Sequence, residues 1–274
     1  MLALVGYTLV VGLDNSLGWL PGMGWNSDYC TNCSRPNGFQ NELFVKHIAD
    51  AMVDLGLAKL GYAYVNMDAS WDTPERDDAG DLQPDPALWP SGLKSTVDYV
   101  HRRGLGFGLY GDKGTMDCAK NPGQQGHELQ DAAFLARFEV DWFKEDSCYS
   151  GGSHAEQIAD YATMRDALNA TGRPIWFALC GWQPWYATEP SGGQAIGNSW
   201  RIGPDTGSGW NAVMENALRG LAVAASGVPG PSHAGGAWSD GSLLLCPGMG
   251  STAADKMSEA RSRSMFSLWC VRAS

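Results

Sequence analysis

The sequence has little positive charge and only five His. Nineteen Lys and Arg stand against 30 Asp and Glu, which gives a formal net charge of −11. The chain therefore lacks the basic surface that attracts nucleic acid phosphates or anionic lipid. The five His do not have the spacing of zinc hydrolases, and the Cys30–x–x–Cys33 pair has no second ligand pair after it. We expect no nucleic acid, membrane, metal or other cofactor as a partner.

Long apolar runs are also absent. A helix needs about 20 consecutive apolar residues to cross a bilayer, and no run in this sequence is that long. Residues 1–12 are apolar, but no basic residues begin them as they begin a secretory signal peptide. We expect this stub to be either a signal remnant or an additional strand. The sequence has no internal repeat or low-complexity tract. Residues 13–274 are predicted to form one domain, and α/β barrels commonly use this many residues around one core.

Short apolar runs alternate with longer segments of helical periodicity, which is typical of parallel β-α-β units. Strands are predicted at residues 22–25, 62–67, 105–110, 140–144, 175–179, 199–201 and 242–246. Helices are predicted at residues 42–57, 93–103, 129–138, 153–170, 213–225 and 253–271, with Gly56, Gly104 and Gly172 at helix ends. The pattern predicts an α/β fold, the TIM (β/α)8-barrel. We expect truncation before the eighth strand, or replacement of that strand by residues 1–12, because an open barrel exposes an unpaired edge.

Polar residues follow the predicted strands, where barrel enzymes carry their reacting groups. Lys144 and Asp146 lie two residues apart on one strand, so they face the same side. A carboxylate beside a cation stays ionised, as a nucleophile must. Asp205 follows the sixth predicted strand, across the barrel mouth, which suits the opposed carboxyl groups of a retaining glycosidase. The structural alternatives are a loop-stabilising Lys–Asp pair and an Asp that caps a helix.

Eight ordered motifs resemble glycoside hydrolase family 27, which contains the α-galactosidases and α-N-acetylgalactosaminidases. The resemblance covers nearly the entire chain. The motifs are Pro21 to Ser27, Gly61-Tyr62 with Asp68 and Trp71, Trp89 to Leu93, Gly106 to Tyr110, Lys144 to Cys148, Leu179 to Trp182, Trp200-Arg201 with Asp205, and Gly236 to Asp240.

The resemblance implies a catalytic barrel in which Asp146 is the nucleophile and Asp205 the acid/base. The sugar-contacting positions that it implies are Trp25, Asp68, Tyr110, Lys144, Gly181, Trp182, Arg201 and Asp240. It also implies a Cys118–Cys148 disulfide, which favours an oxidising compartment. We therefore expect a secreted, lysosomal or vacuolar enzyme that acts on α-galactosides, with a homodimer as a candidate assembly. The family's C-terminal β-sandwich domain is expected to be absent from this sequence.

Departures from the family pattern leave alternatives open. Ala69 and Ser242 stand where the family often carries Asp, and Gly181 leaves room near the second carbon of the sugar. The alternatives are a non-catalytic sugar-binding barrel, an α-N-acetylgalactosaminidase and a β-L-arabinopyranosidase of the same mechanism. Cys30 and Cys33 are candidates for a local bridge. The remaining cysteines, Cys180, Cys246 and Cys270, are predicted to be buried thiols.

Overall fold

The computed structural model describes residues 15–28, 41–182, 192–225 and 238–272. In these residues one parallel sheet contains seven strands in chain order, and each strand pairs with the next. The strands are β1 (Gly24–Asn26), β2 (Tyr64–Asn66), β3 (Gly106–Asp112), β4 (Trp142–Asp146), β5 (Trp176–Leu179), β6 (Ser199–Arg201) and β7 (Trp238–Asp240). This order confirms the predicted α/β alternation. Residues 1–12 and the pair Cys30 and Cys33 lie outside the described residues.

Helices connect the strands, as parallel pairing requires. They are α1 (Glu42–Asp54), α2 (Leu93–Arg102), α3 (Glu128–Arg137), α4 (His154–Ala170), α5 (Gly193–Ile196), α6 (Trp210–Ala225) and α7 (Glu259–Arg272). Local signals set their ends. The Asn41 side chain caps α1, and Ser153 with Glu156 forms a capping box at α4. Gly56, Gly104 and Gly172 all have positive φ after a helix, as predicted.

The prediction of the seventh strand was wrong. The strand is Trp238–Asp240, and residues 242–246 are not in the sheet. Ser242 has a φ of 81°, and its N–H bonds Asp240 Oδ1 at 2.7 Å in a turn that ends the strand. In the apolar run that follows, Leu245 is buried in another way, since it packs with Met265 and other residues of a second core cluster. Short apolar runs do not distinguish these two kinds of burial.

Two further predictions differ from the structure. The short helix α5 is not among the helices predicted from the sequence. Of the cysteines predicted to be buried, Cys180 is buried, whereas Cys246 and Cys270 are exposed. Cys270 lies on α7, where a helical period exposes one face to solvent, so an apolar neighbourhood in sequence does not fix its burial.

Aromatic side chains fill the N-terminal end of the barrel and leave the polar groups at the other end. Trp142 and Trp176, paired in register, stack with ring centroids 4.5 Å apart, and Tyr64 packs edge-on against Trp142 at 5.1 Å. Side chains alternate along each strand. The face of β4 that carries Trp142 therefore also carries Lys144 and Asp146, and Asp146 ends the strand opposite Asp112. Alternation thus places the polar cluster at the C-terminal barrel mouth.

Candidate active site

Asp146 is a buried carboxylate with defined hydrogen-bond donors at the end of β4. Tyr110 donates its hydroxyl to Asp146 Oδ2 at 3.2 Å, and the Ser147 backbone N–H donates to Oδ1 at 2.9 Å. Tyr110 of β3 is paired in register with Lys144, two residues before Asp146 on β4, so sheet register brings the phenol to the carboxylate. The two donors fix the orientation of both carboxylate oxygens. A group held in this way is positioned to attack an electrophilic carbon.

Lys144 forms its ion pair with Asp68, the residue two positions after β2. The Lys144 ammonium lies 2.8 Å from Asp68 Oδ2, which also accepts a hydrogen bond from Asn26 Nδ2 at 3.1 Å. The Ser27 hydroxyl accepts the Asp68 N–H at 2.8 Å and so joins the ends of β1 and β2. The sequence predicted that Lys144 and Asp146 share a face. The structure adds that the direct partner of Lys144 is Asp68.

Arg201 and Asp205 form the other side of the mouth. Arg201 Nη2 lies 2.9 Å from Asp205 Oδ1, and the side chains are 5% and 40% exposed. The same nitrogen donates to the Gly203 carbonyl at 3.0 Å, and Nη1 lies 3.6 Å from Cys180 Sγ. Asp205 is thus held by a buried cation but reaches solvent. This combination suits a group that must gain and lose protons.

Charges of both sides act on the same buried thiol. Burial raises the pKa of Cys180, and Asp146 raises it further, while Lys144 and Arg201 lower it and Asp205 raises it. The thiol is therefore close enough to both carboxylates for their charges to act on it. The sequence prediction that Asp146 and Asp205 meet at one mouth is consistent with this shared neighbour.

Burial and charge set the ionisation of the nucleophile candidate. Burial raises the pKa of Asp146 above its ordinary value, and the Lys144 charge and the Ser147 N–H act against that rise. For Lys144, burial alone would lower the pKa, but Asp68 and Asp146 outweigh it and raise the pKa well above the ordinary value. Lys144 therefore stays cationic. Asp146 therefore takes up a proton at a higher pH than an exposed carboxyl group does. A reaction that needs the Asp146 anion should lose rate as the pH falls towards this raised pKa.

The disulfide predicted from the resemblance is present between Cys118 and Cys148, whose Cα atoms are 5.3 Å apart. It joins the loops after β3 and β4, on the side of Asp146. The Cys148 backbone N–H donates to Asp112 Oδ2 at 2.7 Å, and burial raises the pKa of Asp112 to about 7. The bridge holds the loop that follows Asp146.

Not every predicted sugar-contacting residue lies in this cluster. Trp25 packs edge-on against Phe44 of α1 at 5.6 Å, and alternation turns it away from its neighbour Asn26. The expectation that Trp25 contacts sugar therefore differs from its position in the structure. Asp240 is paired in register with Arg201, and its Oδ1 accepts the Ser242 N–H.

The segment after β5 contributes a ring to the Arg201 side of the mouth. The Trp182 ring lies 5.9 Å from the Arg201 guanidinium, and Trp182 is 40% exposed with a φ of 55°. Gly181 before it is buried. The ring and the cation together form a wall against which a flat apolar face of a ligand can pack.

Sequence reasoning missed the turn after β1. Asn26 bonds Asp68, and Asp28 interacts electrostatically with both sides of the mouth, namely with Asp68, Lys144, Asp205 and Arg201. The signal that could have found Asp28 was the period of two, because Asp28 stands two residues after Asn26 and four after Gly24.

Comparisons with known proteins agree with this geometry. A family model described as alpha galactosidase A matches residues 14–274. Alpha-galactosidase 3 of Arabidopsis thaliana is 38% identical over 260 residues, which are 94% of this chain and 54% of the plant protein. The structure of alpha-galactosidase I from Mortierella vinacea superposes with a TM-score of 0.80 at 29% identity, over 95% of this chain and 66% of that one.

A third match is a structure with a bound ligand. The α-galactosidase of Saccharomyces cerevisiae with raffinose has a TM-score of 0.77 at 29% identity, over 94% of this chain and 58% of that one. These likenesses confirm the TIM-barrel fold class. This chain spans about half the length of the curated relatives it matches, 54% and 58% for two plant proteins. Within the described residues, no helix has both the length and the apolar character needed to cross a membrane.

Proposed function

The chain belongs to the alpha galactosidase A family, and from this premise we propose that it is a retaining exo-glycosidase that hydrolyses terminal α-D-galactosyl residues. The observation that carries the proposal is the contrast between two carboxyl groups at one mouth. Asp146 is buried and held by Tyr110 and Ser147, while Asp205 is paired with Arg201 and open to solvent. The fixed orientation of Asp146 suits a nucleophile, and the access of Asp205 to solvent suits an acid/base that exchanges protons with water.

The reaction then runs in two displacements. Asp146 attacks the anomeric carbon while Asp205 gives its proton to the leaving glycosidic oxygen, so the bond to the aglycone breaks as the glycosyl-enzyme bond forms. Asp205, now anionic, takes a proton from water, and the hydroxide attacks the same carbon and releases Asp146. The positive charge of Arg201 beside Asp205 keeps that anion stable between the two steps. Two inversions return the α-anomer.

The pocket side chains supply binding. Asp68 and Lys144 present an acceptor and a donor side by side, 2.8 Å apart, which suits adjacent sugar hydroxyl groups. The Trp182 ring offers a face for the apolar side of a pyranose. The relative from Saccharomyces cerevisiae, described with raffinose, supports a carbohydrate substrate. We further propose a secreted, lysosomal or vacuolar location, supported by the Cys118–Cys148 disulfide. The homodimer stays a prediction.

The test is hydrolysis of p-nitrophenyl α-galactoside by the full chain, with NMR identification of the first-formed anomer of the released sugar. Asp146→Asn removes the nucleophile with almost no change in volume, and we expect kcat to fall by about 10⁴-fold or more. Asp78, an exposed residue on another loop, supplies the control substitution Asp78→Asn, which should leave kcat unchanged. Release of the β-anomer first would contradict the retaining mechanism.

A kinetic panel separates the related glycosidases. Gly181 has no side chain beside buried Cys180, which favours room for a larger substituent such as the acetamido group of an α-N-acetylgalactosaminide. The panel compares kcat/KM for the aryl α-galactoside, α-N-acetylgalactosaminide and β-L-arabinopyranoside. A folded full chain that binds these sugars and hydrolyses none would instead favour the non-catalytic sugar-binding barrel.

A further inference from the structure

Asp28 lies on the turn after β1, and hydrogen bonds connect this turn directly to the candidate sugar site. Its backbone N–H donates to Asn26 Oδ1 at 2.8 Å, while Asn26 Nδ2 donates to Asp68 Oδ2 at 3.1 Å. One amide side chain therefore holds both the Asp28 backbone and the carboxylate that pairs with Lys144. The buried Ser27 between them bonds the Asp68 N–H. Asp28 is fixed beside Asp68.

The turn holds the Asp28 backbone beside Asp68, and the Asp28 carboxyl group is close enough to the charged groups on both sides of the mouth to interact with them. It interacts with Asp68 and Lys144 on one side and with Asp205 and Arg201 on the other. Burial, followed by the charge of Asp68, raises the pKa of Asp28 to about 6. The group is therefore mostly ionised at neutral pH, and it is half-buried where a ligand would displace water.

Among the described residues at the end of β2, Asp68 and Ala69 offer a ligand little further acceptor capacity. Ala69 follows Asp68, and its methyl group packs against the hydrophobic core. Asp68 itself already accepts hydrogen bonds from Lys144, Asn26 and the Ala69 N–H. A sugar that enters beside Asp68 needs a further acceptor for its hydroxyl hydrogens, because a buried hydroxyl without a partner is costly.

We propose that Asp28 is a specificity-determining residue: its carboxyl group binds a hydroxyl of the glycone and disfavours glycones that carry a negative charge. With Asp28, four carboxyl groups face two cations at the mouth, since Asp68, Asp146 and Asp205 stand against Lys144 and Arg201. A uronic acid would add a further negative charge to that excess. The inference rests on the proposed function only in taking the ligand to be a galactose-like pyranoside.

The experiment measures binding, so that it is readable whether or not the chain hydrolyses the ligand. Calorimetry of the full chain carrying Asp146→Asn gives Kd for methyl α-galactoside and for methyl α-galacturonide. The variants are Asp28→Ala, which removes the carboxyl group, and Asp28→Asn, which removes only its charge. Asp78→Ala is the matched control, because Asp78 is an exposed aspartate. Circular dichroism melts confirm that each variant is folded.

We expect Asp28→Ala to weaken binding of the galactoside by about tenfold or more, as loss of a hydrogen bond to a charged group does. Asp28→Asn should improve the galacturonide relative to the galactoside by about fivefold or more, because one like charge is removed. The control should change neither Kd. The inference is overturned if Asp28→Ala binds the galactoside within twofold of its parent, or if Asp28→Asn leaves the ratio of the two affinities unchanged.

The proposed function and the inference fail in different ways. Tight galactoside binding that depends on Asp28, in a chain whose unmodified form hydrolyses nothing, would refute the proposed function and support the inference. Hydrolysis together with binding that is insensitive to Asp28 would do the reverse. A parent that binds neither ligand would refute both.

Discussion

The two sides of the barrel mouth are built differently. One side, called the nucleophile wall after the proposed role of Asp146, is formed by Asp68, Tyr110, Lys144 and Asp146 at the ends of β2, β3 and β4. Its Asp and Tyr residues are buried, and hydrogen bonds and an ion pair join the wall. The other side, called the acid/base wall after the proposed role of Asp205, is formed by Arg201 at the end of β6 and by Asp205 beyond it. The Asp205 side chain is 40% exposed. The disulfide of the described residues lies beside the first wall.

This difference matches what each group must do. A nucleophile attacks one carbon atom from one direction, so a rigid, pre-oriented carboxylate accelerates the reaction. An acid/base exchanges protons with water in every cycle, so it needs a path to solvent. Fixing one wall and opening the other separates two roles that chemically identical side chains perform.

The sharpest way to break the comparison is Asp205→Asn. If this residue is the acid/base, kcat for a substrate with a poor leaving group should fall by about 10²–10⁴-fold. An aryl substrate with a good leaving group needs less protonation, so its first step should fall much less. Burst kinetics with both substrates check this. Equal losses for both leaving groups would contradict the acid/base role.

Lys144→Met tests the cohesion of the nucleophile wall. The change leaves the buried Asp68 carboxylate without its ion pair, and removing one partner of a buried pair costs about 3 kcal/mol of unfolding free energy or more. Urea denaturation measures the loss. Lys59→Met, at an exposed position, should change stability by about 0.5 kcal/mol or less. A parental stability for Lys144→Met would show that the pair contributes nothing net.

Glu145→Gln tests whether a carboxyl group on the opposite face of β4 is protonated in the folded chain. Both carboxylate oxygens of Glu145 are buried without a hydrogen-bond partner among the described residues. Burial, with the charge of Asp112, raises its pKa well above 4.5. The folded chain therefore binds a proton that the unfolded chain releases, and stability falls as the pH rises above about 4.5.

Between pH 5 and 6 the variant should lose less stability than the parent, because the variant has no carboxyl group at this position whose ionisation the fold disfavours. Denaturation at both pH values measures the difference, and Glu75→Gln at an exposed position is the control. The same pH slope in parent and variant would show that Glu145 is ionised in the fold.

The sequence allowed a large part of the fold to be predicted because the code for it is local. Apolar runs and helical periods placed β1 to β6 and all the longer helices to within a few residues. The prediction of the seventh strand failed, because the three-residue strand Trp238–Asp240 has a weaker apolar signal than residues 243–245, of which Leu245 packs with residues of α7. Only the tertiary contacts distinguish those two kinds of burial.

By itself the sequence predicted which residues carry the chemistry, since Lys144, Asp146, Arg201 and Asp205 stand at or soon after the ends of predicted strands in a parallel repeat. Pairing across the mouth was decided by the tertiary structure alone. Lys144 binds Asp68 although Asp146 is closer to it along the strand. Trp25 packs against α1. Asp28 is connected to the site through its hydrogen bond with Asn26. The physical reason is that strand alternation fixes the face a side chain occupies, whereas its partner depends on distances between strands that are far apart in sequence.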